Sequence, residues 1–245
     1  MQSRECYVKS LIRRRYAKRA TSGDEPADGR RRAVRAGYAS AKLDRLPRAV
    51  VAAWSGCGDL GADRAAAGAR IVVDLGAGSG VDALIAASGD APPALVIALD
   101  LTPEMTRLVG DAHGNVLPVA GDFEGLPLAD SVCDVVIANA AFNLALDRET
   151  AFREAHRILR PGGRLHIRDL VLGDELPAGL LEDPMGWSAS LGGVPTEEEL
   201  EAAVRGAGFV DIAVSGRRAF PPVISVMIDA TKPRQVAEAP LRQFT

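Results

Sequence analysis

Three aspartates stand at or just beyond the ends of three short apolar runs: Asp74 after Ile71-Val72-Val73, Asp100 after Ala94 to Leu99, and Asp122 after Val116 to Ala120. A carboxylate before a tight turn, as at Asp74, repels a pyrophosphate and suits a cationic amino group. A carboxylate closing the second run, as at Asp100, can accept hydrogen bonds from both hydroxyls of a ribose. Asp122 can take the exocyclic amine of an adenine, with Phe123 beside it as a flat apolar wall. Any one of them alone reads as a helix cap. The three in this order describe a ligand with an amino acid end, a ribose and an adenine.

Gly76-Ala77-Gly78-Ser79-Gly80 follows Asp74 and Leu75. Glycines there let the backbone turn sharply and come close to a ligand ahead of a helix. A dinucleotide fingerprint would read GxGxxG, and Val81 stands where its last glycine belongs. That argues against NAD. Further groups able to do chemistry are few. Alternation along Arg164 to Asp169 puts His166 and Arg168 on one face and Ile167 and Asp169 on the other. Asp169 and His166 are the candidates for touching a second substrate. His156 is expected on a helix surface, and His113 in a polar loop.

The elements that must hold these groups alternate. Strands are expected at Ile71 to Leu75, Ala94 to Leu99, Val116 to Ala120, Asp134 to Ala138, Arg164 to Asp169, Val210 to Val214 and Val223 to Ala230. Helices are expected at Asp82 to Ser88, Pro103 to Val109, Arg148 to Leu159 and Glu197 to Ala207, with Pro161-Gly162-Gly163 stopping the third. This alternation predicts an α/β fold with a mostly parallel sheet covered on both faces. Upstream, residues 1 to 20 can form a helix, Thr21 to Arg30 reads as a loop, and helical patterning resumes from Ala33 to Trp54. The expected organisation is a helical segment or lid over 1–69, a ligand-binding domain over 70–230 and a tail over 231–245.

Bulk properties narrow the class. The chain has 245 residues, 47% of them hydrophobic, and a formal net charge of -3, which gives no reason to expect nucleic acid or an anionic membrane as partner. The runs Arg13 to Arg15 and Arg30 to Arg32 are expected to be solvated. No run approaches the ~20 apolar residues that span a bilayer, and Met1 to Lys18 lacks the apolar stretch of a secretory signal. Cys6, Cys57 and Cys133 are three widely spaced thiols, which fits a reducing cytoplasm and argues against a disulfide framework or a metal site.

The set Asp74 to Gly80, Ala98 to Met105, Gly121 to Pro127 and Ile158 to Leu165 resembles the class I S-adenosylmethionine-dependent methyltransferases, over roughly Arg70 to Ala230. The resemblance implies a Rossmann-like, seven-stranded sheet and S-adenosylmethionine as cofactor. It puts Gly76, Gly78, Asp100, Thr102, Met105, Asp122 and Asn139 around that cofactor, with Asp74, Ala77, Gly80, Leu101 and Phe123 beside them. Within the class the chain is most similar to the arsenite methyltransferases, through Gly37-Tyr38, Ser55-Gly56-Cys57-Gly58, Leu101 to Met105, Asn139 to Leu144 and Leu176 to Val194. That family holds trivalent arsenic on thiolates. Ala140 and Ser190 stand at two of the implied cysteine positions, and neither replaces a thiolate toward a soft metalloid.

The resemblance therefore implies methyl transfer to a different acceptor, a small organic molecule. Its pocket is expected around the N-terminal segment, Ala140, Phe142, Asn143, Trp187 and Ser190, apolar and with few ionised groups. Two other readings share the cofactor positions: a lyase or cyclase that uses S-adenosylmethionine without methylating, and a non-catalytic binding protein. The protein is expected to be a monomer or homodimer.

Overall fold

The computed structural model describes residues 4–21, 26–110, 114–173 and 193–234. Trp187 and Ser190, expected at the acceptor pocket, and His113 lie outside the described residues. The strands are β1 (Ile71–Leu75), β2 (Leu95–Asp100), β3 (Val116–Ala120), β4 (Cys133–Asn139), β5 (Leu159–Leu172), β6 (Val210–Phe220) and β7 (Val223–Thr231). They form one seven-stranded sheet in the order β3-β2-β1-β4-β5-β7-β6. Pairs from β3 through β5 are parallel, and β7 runs antiparallel to both β5 and β6.

The helices are α1 (Arg4–Thr21), α2 (Pro26–Arg35), α3 (Ser40–Leu43), α4 (Arg48–Ala52), α5 (Ala62–Ala66), α6 (Val81–Ala87), α7 (Pro103–Val109), α8 (Arg148–Ile158) and α9 (Glu197–Gly206). Two apolar layers sandwich the sheet. Val73, Leu75, Val136 and Ile167 face Phe142, Phe152 and the inner faces of α8 and α9. Val72, Val96, Val135 and Ile137 face Tyr38, Leu43, Trp54 and the side chains of α6. Alternation along β1 thus feeds two cores, as a sheet covered on both faces requires. None of the described helices is long and apolar enough to cross a membrane.

Three expectations about elements are corrected. The expected loop Thr21 to Arg30 is entered by α2, which starts at Pro26, a residue suited to a first helical turn. The helical stretch Ala33 to Trp54 breaks into α2, α3 and α4, because Gly37 adopts φ +108° and Pro47 caps α4. β5 starts at Leu159, five residues before the expected Arg164, since Gly162 and Gly163 pair with the backbone of Lys232. Pro161-Gly162-Gly163 ends the helix by carrying the chain straight into the sheet.

β1 and β4 are neighbours whose following connections leave to opposite faces, β2 lying on one side and β5 on the other. Sheets of this kind bind ligands at that switch point, beyond the carboxyl ends of the strands. The glycine loop after β1 lies there.

Candidate active site and its two cavities

Gly76 and Gly78 take left-handed conformations, φ +68° and +54°, and shape the turn from β1 into α6. A Cβ on Gly76 would lie 2.6 Å from Ala141 Cβ, so only glycine lets the loop pass the tip of β4. A Cβ on Gly78 would meet only Ser55 Oγ at 3.8 Å; that side of the loop faces open space. Asp100 fixes the loop from β2. Its Oδ2 accepts from the Gly78 amide and its Oδ1 from the Thr102 amide, both at 2.8 Å.

A cleft runs along these residues, lined by Gly76, Gly78, Asp100, Leu101, Thr102, Asp122, Phe123, Asn139 and Ala140, and roofed by Lys9, Ile12 and Tyr16 of α1. It continues inward past Asp74 and Ala77. Asp74 is buried, and its Oδ2 has no hydrogen-bond partner. Burial, followed by the charges of Asp82 and Asp100, pushes its carboxyl well above the usual range. Burial also raises Asp100. An acidic, partly unsatisfied cleft favours a cationic guest.

Gly80 and Met105 are brought near the cleft but do not line it. Gly80 turns the chain against Val109, and Met105 is fully buried. Asn139, expected beside the cofactor, also ties the N-terminal segment to β4. Its Nδ2 donates to Tyr38 Oη, Gly58 O and Asp82 Oδ2, and its Oδ1 accepts from the Cys57 amide. Tyr38 Oη donates to the Asp82 carboxylate, 2.8 and 2.9 Å from its two oxygens. Burial raises Asp82 to about 6, although the hydrogen bonds from Asn139 and Tyr38 oppose the shift.

Both candidates for touching the acceptor are engaged in internal hydrogen bonds. Asp169 is 1% exposed; its Oδ2 accepts from the Phe142 amide and its Oδ1 from the Leu170 amide. It anchors the turn after β4. His166 has one ring nitrogen 2.6 Å from Asp229 Oδ1 and the other 2.8 Å from Leu60 O, so neither is available. His156 is half-buried, packed edge-on against Phe209 rather than on the surface. Phe142 and Asn143, expected in the acceptor pocket, are buried, and Phe142 stacks on Phe152 at 4.1 Å.

A second, larger cavity of ≈ 460 Å³ opens on the other side of Ala140. Its lining combines the apolar Trp54, Cys57, Leu170, Phe220 and Pro221 with Arg15, Arg19, Arg32, Arg35 and Arg218. This cavity differs from the expected acceptor pocket, which was to hold few ionised groups. The basic runs are solvated as expected, with Arg13, Arg14, Arg15 and Arg31 exposed and Arg30 and Arg32 half-buried, while Arg15 and Arg32 also reach this cavity. Helical spacing was the available signal: Arg15 and Arg19 are i, i+4, and Arg32 and Arg35 are i, i+3, each pair on one helix face.

Tyr16, Ser55 and Ala140 line both cavities and mark where they meet. Ala140 holds φ +56°, a strained conformation for a residue with a Cβ, at the tip of β4 between the two. Lys9 and Tyr16 were not among the residues expected here. Neither belongs to a motif, and only packing of α1 brings them to the cleft.

Residues 73–167 match the family described as Methyltransferase domain. An arsenite methyltransferase of Halobacterium salinarum is 36% identical over 166 residues, 65% of this chain and 42% of that protein. The solved arsenic(III) S-adenosylmethionine methyltransferase of Chlamydomonas reinhardtii superposes with a TM-score of 0.66 at 26% identity, covering 79% of this chain and 72% of that one. Over these residues the chain is similar, in sequence and in fold, to S-adenosylmethionine-dependent methyltransferases. A malonyl-[acyl-carrier protein] O-methyltransferase of Methylococcus capsulatus is also 36% identical, over 64% of this chain and 58% of that protein. The chain spans about half the length of the curated relatives it matches. They differ in the acceptors they are named for.

Proposed function

We propose that the protein transfers the methyl group of S-adenosylmethionine to a small organic acceptor. The observation that carries this reading is the meeting of two chemically different cavities at Tyr16, Ser55 and Ala140. The cleft has the chemistry the cofactor needs. Asp100 offers carboxylate oxygens held by two backbone amides, Asp122 and Phe123 stand where an adenine edge and face would lie, and Asp74 brings an unsatisfied oxygen to a cationic ligand. When bound, S-adenosylmethionine supplies an electrophilic methyl with a good leaving group. The protein's task is then to hold an acceptor in line, which positioning alone can do.

Acceptor identity rests on the second cavity. Cys57 is its only thiol among the described residues, and burial pushes that thiol up to about 12, so it stays protonated at neutral pH. One protonated thiol is a poor seat for trivalent arsenic. In this reading α1 is a lid: its side chains reduce the cleft to ≈ 60 Å³, room for a few waters rather than a nucleoside. Three free cysteines support a reducing, cytoplasmic setting.

The test is calorimetric titration with S-adenosylmethionine and S-adenosylhomocysteine, followed by a screen of organic acceptors for S-adenosylhomocysteine release. Binding of both, with turnover on an organic acceptor and none on arsenite, is the expected result. Arsenite turnover would overturn the acceptor assignment, and failure to bind either cofactor form would remove the activity.

A further inference from the structure

Three separate elements send arginines into the larger cavity: α1 gives Arg15 and Arg19, α2 gives Arg32 and Arg35, and β6 gives Arg218. No aspartate or glutamate is among the residues lining it. Elsewhere in the described residues arginines commonly meet carboxylates, as Arg30 meets Asp44 and Arg217 meets Glu197. Arg15, Arg32, Arg35 and Arg218 form no such pair among the described residues. Like charges gathered without counterions cost free energy, and a guest of opposite charge would recover it.

Three of these arginines are held in place by hydrogen bonds. Arg19 Nη1 donates to Trp54 O at 3.0 Å and Arg32 Nη2 to Ala52 O at 3.3 Å, which fixes both against the end of α4. Arg218 donates to Arg35 O, so β6 and α2 are tied at the cavity rim. Arg32 Nε is buried and has no hydrogen-bond partner. That donor lies beneath the cavity surface, so Arg32 meets a guest through the outer edge of its guanidinium. Trp54, Leu170 and Phe220 line the same cavity and would cover an apolar body.

We infer that this cavity binds a small organic anion, with the anionic group on Arg32 and its neighbours and the apolar body against Trp54 and Leu170. The inference rests on the methyltransferase reading and names its acceptor class. Guanidinium groups match carboxylates and phosphates in a planar, two-pronged geometry that neutral acceptors do not offer.

The test uses the full chain saturated with S-adenosylhomocysteine and titrates octanoate, octyl phosphate and octanamide by calorimetry. Either anion should bind at least tenfold tighter than the amide, and comparison of the two tells carboxylate from phosphate. Arg32→Gln and Arg35→Gln should each weaken the anion by about tenfold, while Arg217→Gln, outside the cavity, leaves it unchanged. S-adenosylhomocysteine binding should stay the same in all three variants. Equal binding of anion and amide, no binding of either, or discrimination that survives both cavity substitutions overturns the inference while the cofactor reading stands. Loss of S-adenosylhomocysteine binding by the unaltered protein overturns both.

Discussion

Lys9 Nζ lies 2.7 Å from Asp122 Oδ2, so α1 is held by its ammonium to the carboxylate we propose for an adenine amine. The same ammonium reaches Glu124 Oε2 at 3.0 Å and Glu5 Oε1 at 3.1 Å. Burial works against the charge on Lys9, and the hydrogen bonds to Asp122, Glu124 and Glu5 outweigh it, leaving the lysine above its ordinary range. A nucleoside must therefore displace Lys9. Lys9→Met removes the competitor, and a partly exposed pair of this kind is worth about 1 kcal/mol. S-adenosylhomocysteine should bind the variant about fivefold tighter by calorimetry. Unchanged or weaker binding would show that Lys9 closes over the ligand and does not block it.

Asp74 gives a second expectation, through protons. Its carboxyl is raised by burial first and by Asp82 and Asp100 after it, so the free protein holds it neutral well above the ordinary carboxylate range. An ammonium placed against it favours the ionised form. Cofactor binding then releases a proton, and affinity rises with pH until the free carboxyl is itself ionised. Titration in two buffers of different ionisation enthalpy should show proton release. Asp74→Asn should abolish that release and weaken binding about tenfold or more, a loss of at least about 1.4 kcal/mol. Proton uptake, or none, would place the amino end of the ligand elsewhere.

The sheet was legible because its strands are short apolar runs punctuated by Gly76 to Gly80, Asp100 and Gly121, a local code that needs no tertiary information. The cofactor cleft shared that advantage, since Asp100 and Gly78 sit where strand ends must put them. The acceptor side was not legible for a physical reason. Its arginines come from α1, α2 and β6, far apart in sequence, and helical spacing pairs them on a face without telling whether that face meets a cavity or water. Asp169 misled in the opposite way. The end of a strand is the right place for an active group, but only the backbone amides of Phe142 and Leu170 reveal that both its oxygens are taken.

Tyr38, Asp82 and Asn139 form a buried network under the glycine loop, and its weak point is the tyrosine hydroxyl. Tyr38→Phe leaves the packing against Trp54 in place and removes a donor that lies within 2.9 Å of both Asp82 oxygens. Leaving a buried carboxylate short of that donor should cost about 1–3 kcal/mol by urea unfolding. The sign of its pH dependence follows from Asp82, raised to about 6 chiefly by burial. The ionised form needs the donor more than the neutral form does, so the loss should be larger at pH 8 than at pH 5. A loss independent of pH would mean that the hydroxyl serves Asn139 instead.

Asp169 carries the clearest expectation for stability against pH. Burial raises its carboxyl to about 6, against the opposing hydrogen bonds from the Leu170 and Phe142 amides and the charge of Arg148. In the unfolded chain the same group titrates near its free value of about 3.9. Between those two values the folded protein binds the extra proton, so this group's contribution falls as pH rises from about 4 to about 6 and is level above that. The full change is at most about 3 kcal/mol for a shift of this size. Asp82, raised to the same value, adds a fall in the same window. Asp169→Asn should be less stable than the unaltered protein at pH 4, because one backbone amide then faces a donor. The gap should narrow by up to about 3 kcal/mol as pH is raised to 7, since the variant has lost one of the two titrating groups. Urea midpoints at pH 4, 5, 6 and 7 measure this directly. Parallel curves would mean that Asp169 is ionised throughout, with the two amides and Arg148 outweighing its burial.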